Sequence, residues 1–210
     1  MNLSTFDAEE LLHLAGSFLG QRKPANALEC LKRASQLEPA NAKVLYLTAV
    51  VYCQTGLVKR AVQSLEQAIQ IDPELSVAHF QLGLLLYGTE RYAEASAAWA
   101  PLDRLGPEHA LVLLKTGMEA LAREEYELCH SYINRGIERN TENEALNEEM
   151  RKILKWAAEQ QSDADEDTRK ISFDANIKMD TLGSSPNPAI PKRRASKVPP
   201  LPEKFRGNSS

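Results

Sequence analysis

The sequence predicts an all-α array of antiparallel helix pairs, about four of them, closed by a C-terminal helix and followed by a disordered tail. Two observations carry the prediction. Pro39, Pro73 and Pro107 are spaced by 34 residues each time, a period that marks stacked helical hairpins. Small residues recur at fixed phase as well: Ala27, Ala61 and Ala95 form one column, and Ala15, Ala49, Gly83 and Gly117 form another. Small side chains at fixed phase let two helices approach closely.

Each proline lies two residues after an apolar one (Leu37, Ile71, Leu105) and precedes a new helical pattern, as expected where one helix stops and the chain turns into the next. This sets units at 8–41, 42–75, 76–109 and 110–143. Further columns fit the same frame: Leu31, Leu65 and Trp99; Ala34, Ala68 and Leu102; Phe18, Tyr52 and Leu86. The second helix of each unit is amphipathic. In the second unit Ala61, Val62, Leu65, Ala68 and Ile69 make a stripe, with Arg60, Gln63, Glu66, Gln67 and Gln70 turned away. The first helices, such as Val44 to Cys53, are apolar nearly all round and require burial on both sides. After the fourth unit, Leu146, Met150, Ile153, Leu154 and Ala157 follow an i, i+4, i+7, i+8, i+11 series, a capping helix over 144–160. The helical repeat domain thus spans 1–161, and 162–210 reads as a disordered, proline-containing basic tail.

Composition narrows the function classes. The chain has 210 residues, 43% of them hydrophobic and 26% charged, and a formal net charge of −4. Residues 1–162 carry 16 Lys/Arg against 22 Asp/Glu, and residues 163–210 carry 9 against 7. An acidic body argues against a nucleic-acid binder that uses its folded part, because phosphates need a basic face. The N-terminal residues lack a positive start and a long apolar run, so no secretory signal is read and a cytoplasmic location is expected. The most apolar stretch, Leu82 to Tyr87, is far shorter than the ~20 residues of a membrane span.

Cys30, Cys53 and Cys129 have no paired spacing and read as reduced thiols packed as small hydrophobes. His13, His79, His109 and His130 share no metal-type spacing. No Gly-rich phosphate loop, nucleophile elbow or His-Glu-x-x-His helix occurs. A non-enzyme without cofactor, metal or small-molecule substrate is expected.

These columns resemble those of the tetratricopeptide repeat family, over about residues 8–143. Departures occur: Cys129, Gly136 and Thr141 stand where Ala, Ala and Pro belong, and His79 replaces a large apolar residue. The resemblance implies a right-handed superhelix whose concave face, lined by the first helices, holds a peptide of another protein. By that geometry the groove-facing series is Tyr46, Val50 and Cys53, then Phe80, Leu84 and Tyr87, then Leu114, Met118 and Leu121. An exposed trough of such residues would suit an apolar peptide. Equally, an apolar stripe at helical spacing serves as ordinary core. The family branch that grips a terminal carboxylate uses Lys and Asn at positions held here by Leu12, Gly16, Leu47, Val77 and Gln81, so a carboxylate clamp is not supported. The expected function is a scaffold or adaptor. The alternative is a chaperone for a secreted or assembling subunit, similar to the small tetratricopeptide chaperones of secreted translocators.

The tail offers its own candidates: Lys192, Arg193 and Arg194, then Pro199, Pro202 and Phe205. Pro199-x-x-Pro202 suits an extended docking motif, and Arg193-Arg194-Ala195-Ser196 resembles a basophilic kinase site. Tail-mediated binding to RNA or a membrane surface is a third reading, with a steep salt dependence. The charge split also allows a cis contact, in which the tail folds back and places Val198, Leu201 and Phe205 in the apolar groove.

Overall fold

A computed structural model describes residues 3–181, with side chains to Ser162. Among the described residues there are nine α-helices, one 3-10 segment and no strand. The helices are α1 (Ala8–Gly20), α2 (Pro24–Leu37), α3 (Ala42–Gln54), α4 (Val58–Ile71), α5 (Ser76–Gly88), α6 (Tyr92–Trp99), α7 (Ala110–Ala122), α8 (Tyr126–Arg139) and α9 (Glu144–Thr181). They form two compact units divided between Lys115 and Thr116, inside α7.

The repeat is written in the backbone as well as in the side chains. Arg22, Gly56, Glu90 and Glu124, each 34 residues after the last, all have positive φ, between 56° and 77°. Each sits in the turn joining the two helices of a hairpin. The next residue donates back five positions: Lys23 N to Phe18 O at 2.8 Å, Leu57 N to Tyr52 O at 2.9 Å, Arg91 N to Leu86 O at 2.9 Å and Glu125 N to Ala120 O at 3.0 Å. This is the left-handed stop that satisfies a helix's last carbonyls and turns the chain sharply. At the other end, α1 starts on a capping box: Glu10 N donates to Asp7 Oδ1 and Asp7 N donates to Glu10 Oε2.

In the first unit α1/α2, α3/α4 and α5/α6 are antiparallel hairpins, and the small columns lie at their crossings. Ala15, Ala27, Ala34, Ala49, Ala61 and Ala68 are fully buried. The third hairpin is built differently, because α6 stops at Trp99 and the chain continues as a 3-10 helix over Ala100–Leu105. Pro101 is the cause: it has no N–H to donate and its ring displaces the preceding turn. His79, in a column that takes a large apolar residue, is buried with Nδ1 3.1 Å from Ala98 O and Nε2 3.0 Å from Pro73 O. It ties α5 to α6 and to the preceding link by polar contacts instead of bulk.

In the second unit α8 packs on α9, with Cys129, Ile133 and Gly136 buried on α8 and Leu146, Met150, Ile153, Leu154 and Ala157 buried on α9. The capping residues lie where the periodicity places them. A polar clasp joins the two helices: Asn140 Nδ2 donates to Asn147 Oδ1 and Asn147 Nδ2 donates to Asn140 O, both at 2.8 Å, with Asn147 3% exposed. Asn147→Leu is expected to lower stability by about 2 kcal/mol, because it removes both bonds and leaves Asn140 O without its donor, although Asn140 Nδ2 keeps its bond to Asn143 O, while the added apolar surface offsets only part of the loss. Urea unfolding followed by circular dichroism measures it, and an unchanged midpoint would contradict the clasp.

The last helix is longer than the 144–160 expected from the apolar series, running to Thr181. Apolar periodicity ends near Gln160, but no Gly or Pro occurs from Glu144 until Gly183, so nothing in the backbone chemistry stops the helix. The tail candidates Lys192, Arg193, Arg194, Pro199, Pro202 and Phe205 lie outside the described residues.

Candidate functional site

The first helices of the first unit enclose a cavity of about 480 Å³. Its walls are Leu12 and Gly16 from α1, Tyr46 and Leu47 from α3, Val77 from α5 and Leu75 just before it; Glu9, His13 and Lys43 sit at its rim. Leu12, Tyr46, Leu47, Leu75 and Val77 are each half-buried. Apolar side chains that are neither covered nor free, grouped around a concavity and bordered by charge, form the arrangement typical of small ligand and peptide sites.

The repeat explains why the cavity is there. One column of the first helices holds Val50, Leu84 and Met118, and in the first hairpin it holds Gly16. Where the others fill space, Gly16 leaves it: a Cβ built on Gly16 meets nothing within 4 Å. A larger cavity of about 580 Å³ lies along the α2–α3 link, but its walls are the turn residues Glu38, Pro39, Ala40, Asn41 and Asp72, with Ile71 the one large apolar side chain. Volume alone does not make it the better site.

Of the nine residues expected to line a trough, Tyr46 reaches the cavity and Val50 is half-buried without lining it. The other seven, Cys53, Phe80, Leu84, Tyr87, Leu114, Met118 and Leu121, are buried, with exposures of 4% or less. An open trough through them is therefore corrected. In the third hairpin the reason is Trp99, whose indole stacks with Phe80 and Tyr87 at ring separations of 6.1 Å each and donates from Nε1 to Phe80 O at 3.0 Å. Tyr92 adds an edge contact to Tyr87 at 5.2 Å. A Trp in a column elsewhere held by Leu31 and Leu65 draws the facing first helix into core. In α7 the helix is apolar nearly all round, and such helices bury every side.

The residues that do line the cavity include four of the five at the positions where the family's carboxylate-gripping branch carries Lys and Asn, namely Leu12, Gly16, Leu47 and Val77. The available signal in the sequence is Gly16, a glycine in a column filled by Val50, Leu84 and Met118 in the other hairpins.

The remaining chemistry is quiet. Burial pushes the Cys129 thiol up to about 12, and burial followed by the Glu29 charge raises Cys30, so neither offers a thiolate at neutral pH. Among the described residues no three His, Cys, Asp or Glu side chains are grouped to hold a metal ion. No described helix is long and apolar enough to cross a membrane.

Helical hairpins with a 34-residue period, small residues at every crossing and a left-handed turn in every hairpin define an α-helical repeat protein. Comparison with known proteins agrees. The family model for anaphase-promoting complex, cyclosome, subunit 3 matches residues 20–100. BBSome complex member BBS4 of Mus musculus is 27% identical over 124 residues, covering 56% of this chain and 24% of that protein. Small glutamine-rich tetratricopeptide repeat-containing protein 2 of Mycosarcoma maydis is 27% identical over 113 residues, covering 54% and 32%. Tetratricopeptide repeat protein 7B of Homo sapiens is 32% identical over 88 residues, covering 42% and 10%. The crystal structure of MamA superposes with a TM-score of 0.50 at 18% identity, over 68% of this chain and 83% of that one, and shares the fold. In fold and repeat the chain is similar to tetratricopeptide repeat proteins. It spans a third or less of the length of these three curated relatives.

Proposed function

We propose that the chain is a non-catalytic, cytoplasmic protein-interaction scaffold that holds an apolar peptide segment of a partner in the cavity between α1, α3 and the start of α5. The observation that carries this is the cavity itself: an apolar floor of Leu12, Tyr46, Leu47, Leu75 and Val77, opened by a glycine in a column otherwise filled. A floor of that composition takes one or two aliphatic or aromatic side chains, and the charged rim of Glu9 and Lys43 orients what flanks them. Similarity to a BBSome complex member and to a subunit of the anaphase-promoting complex supports a scaffold inside an assembly. Cys30, Cys53 and Cys129, buried as thiols and not joined in disulfides, fit a reducing compartment.

The test is a peptide array, apolar anchors in varied charge context, probed with the full chain and with Leu47→Glu. A carboxylate placed on the floor is expected to weaken binding at least about tenfold, because the peptide's apolar anchor then desolvates it. Circular dichroism checks that the variant keeps its helix content, and Leu75→Glu on the opposite wall repeats the test independently. Binding unaffected by both substitutions would sink the proposal. A partner held only while unfolded would make the chain a chaperone; a folded partner with an exposed segment makes it an adaptor.

A further inference from the structure

We propose that the cavity's occupant in the resting protein is the chain's own segment Leu201-Pro202-Glu203-Lys204-Phe205, an internal competitor of the partner peptide. This rests on the reading of the cavity as a peptide site and names the ligand that such a site meets first.

The rim supplies the first argument. Lys43 lies in the first turn of α3, where the helix's own partial charge is positive, so it sits at the wrong end for a cation. Its ammonium has no ion-pair partner among the described residues, and Glu38 on the same link is bonded to the Asn41 amide instead. A carboxylate docking there gains from the ammonium and from the helix end together. Beside it lies an apolar floor half-exposed to water. The Lys43 side of the rim, away from Glu9, therefore suits an acid next to apolar anchors.

The chain beyond α9 holds one such group. Residues 182–210 carry six Lys/Arg and a single acid, Glu203, and that acid lies midway between Leu201 and Phe205. Docked as an extended strand, in which alternate side chains share a side, the segment would present Leu201, Glu203 and Phe205 together, with about 13 Å between the two apolar anchors. Leu201 and Phe205 then meet the floor while Glu203 meets Lys43, and Lys204 points outward. Charge favours the encounter: residues 182–210 total +5, and residues 1–181 total −9, to give the −4 of the chain. The 20 residues from Thr181 to Leu201 reach up to about 70 Å. A tether of this kind gives an effective concentration on the order of mM, so a contact with a free-peptide Kd of roughly 0.1 mM is about nine-tenths formed and weakens a competing peptide about tenfold.

A nitroxide on Ser209→Cys in the full chain tests this, the native thiols being buried. The methyl signals of Leu12, Leu47 and Val77 are expected to lose at least about half their intensity, at concentrations where the chain is dilute. Leu201→Glu/Phe205→Glu should restore them. Lys43→Glu should restore them in part, and Lys43→Glu/Glu203→Lys should bring the broadening back, a rescue that a merely structural effect would not give. Full intensity in the labelled wild-type chain overturns the inference, as does broadening indifferent to residues 201 and 205. Broadening that appears only between differently labelled copies assigns the segment to a second molecule and overturns the cis contact. The two readings fail separately: peptides captured on the array without cis broadening leave the cavity a peptide site with another occupant, whereas neither signal removes both.

Discussion

Gly83→Ala is expected to destabilise the first unit by about 2–4 kcal/mol, although the same change in the middle of an exposed helix stabilises. Removing a helix-interior glycine gains about 1 kcal/mol in propensity. Here a Cβ on Gly83 lands inside the Trp99 indole, which leans on the glycine and donates its Nε1 hydrogen to Phe80 O at 3.0 Å. The indole is 1% exposed and cannot swing outward without uncovering Phe80 and Tyr87. Overpacking of this kind costs about 1–3 kcal/mol. A buried N–H or carbonyl left unpaired adds about 1–3 more, so the propensity gain loses. The chain has two tryptophans, Trp99 and Trp156, and the two units need not unfold together. Urea titration of Trp99 fluorescence in a Trp156→Phe background therefore reads the first unit by itself. A midpoint that rises instead would show that the indole does not occupy the glycine's space.

The fold was legible because its determinants repeat. A small residue at one crossing is a weak signal, but Ala27, Ala61 and Ala95 at one phase can hardly be anything other than a packing column, and all three are buried. What stayed hidden was held by residues whose type does not announce their role. Only Gly56 marks the left-handed turn; Arg22, Glu90 and Glu124 adopt it because the hairpin around them leaves no alternative. Pro101 was visible but overshadowed by the prolines that keep the period. Asn147 lies beside the apolar series, and its partner Asn140 is the cap that follows α8, so the clasp exists only in three dimensions. The candidate site was half legible for a related reason. Helical phase identifies which column faces inward, yet whether that column is floor or core depends on bulk contributed from elsewhere, here Trp99 in one hairpin and the missing side chain of Gly16 in another.

Gly16→Leu should separate binding from stability, since it restores to the first hairpin the bulk that Val50, Leu84 and Met118 supply in their own. Nothing lies within 4 Å of the Gly16 Cβ position, so the first carbon of the new side chain enters without collision and the rest extends into the cavity's free volume. The helix gains about 0.5–1 kcal/mol because a glycine leaves its interior. The cavity, however, loses the room it held beside Leu12 and Leu47, and a partner's apolar anchor must then displace the new side chain or bind outside it. Peptide affinity should fall at least about tenfold, some 1.4 kcal/mol, while the unfolding midpoint rises. Gly16→Ala, with a single methyl, should show the same stabilisation and a smaller loss of binding. Destabilising substitutions such as Gly83→Ala weaken binding by emptying the folded state, whereas this pair leaves the folded state more populated and still binds less. That opposition of signs ties the loss to occupancy of the cavity, and peptide affinity unchanged by the leucine would place the binding surface elsewhere on the array.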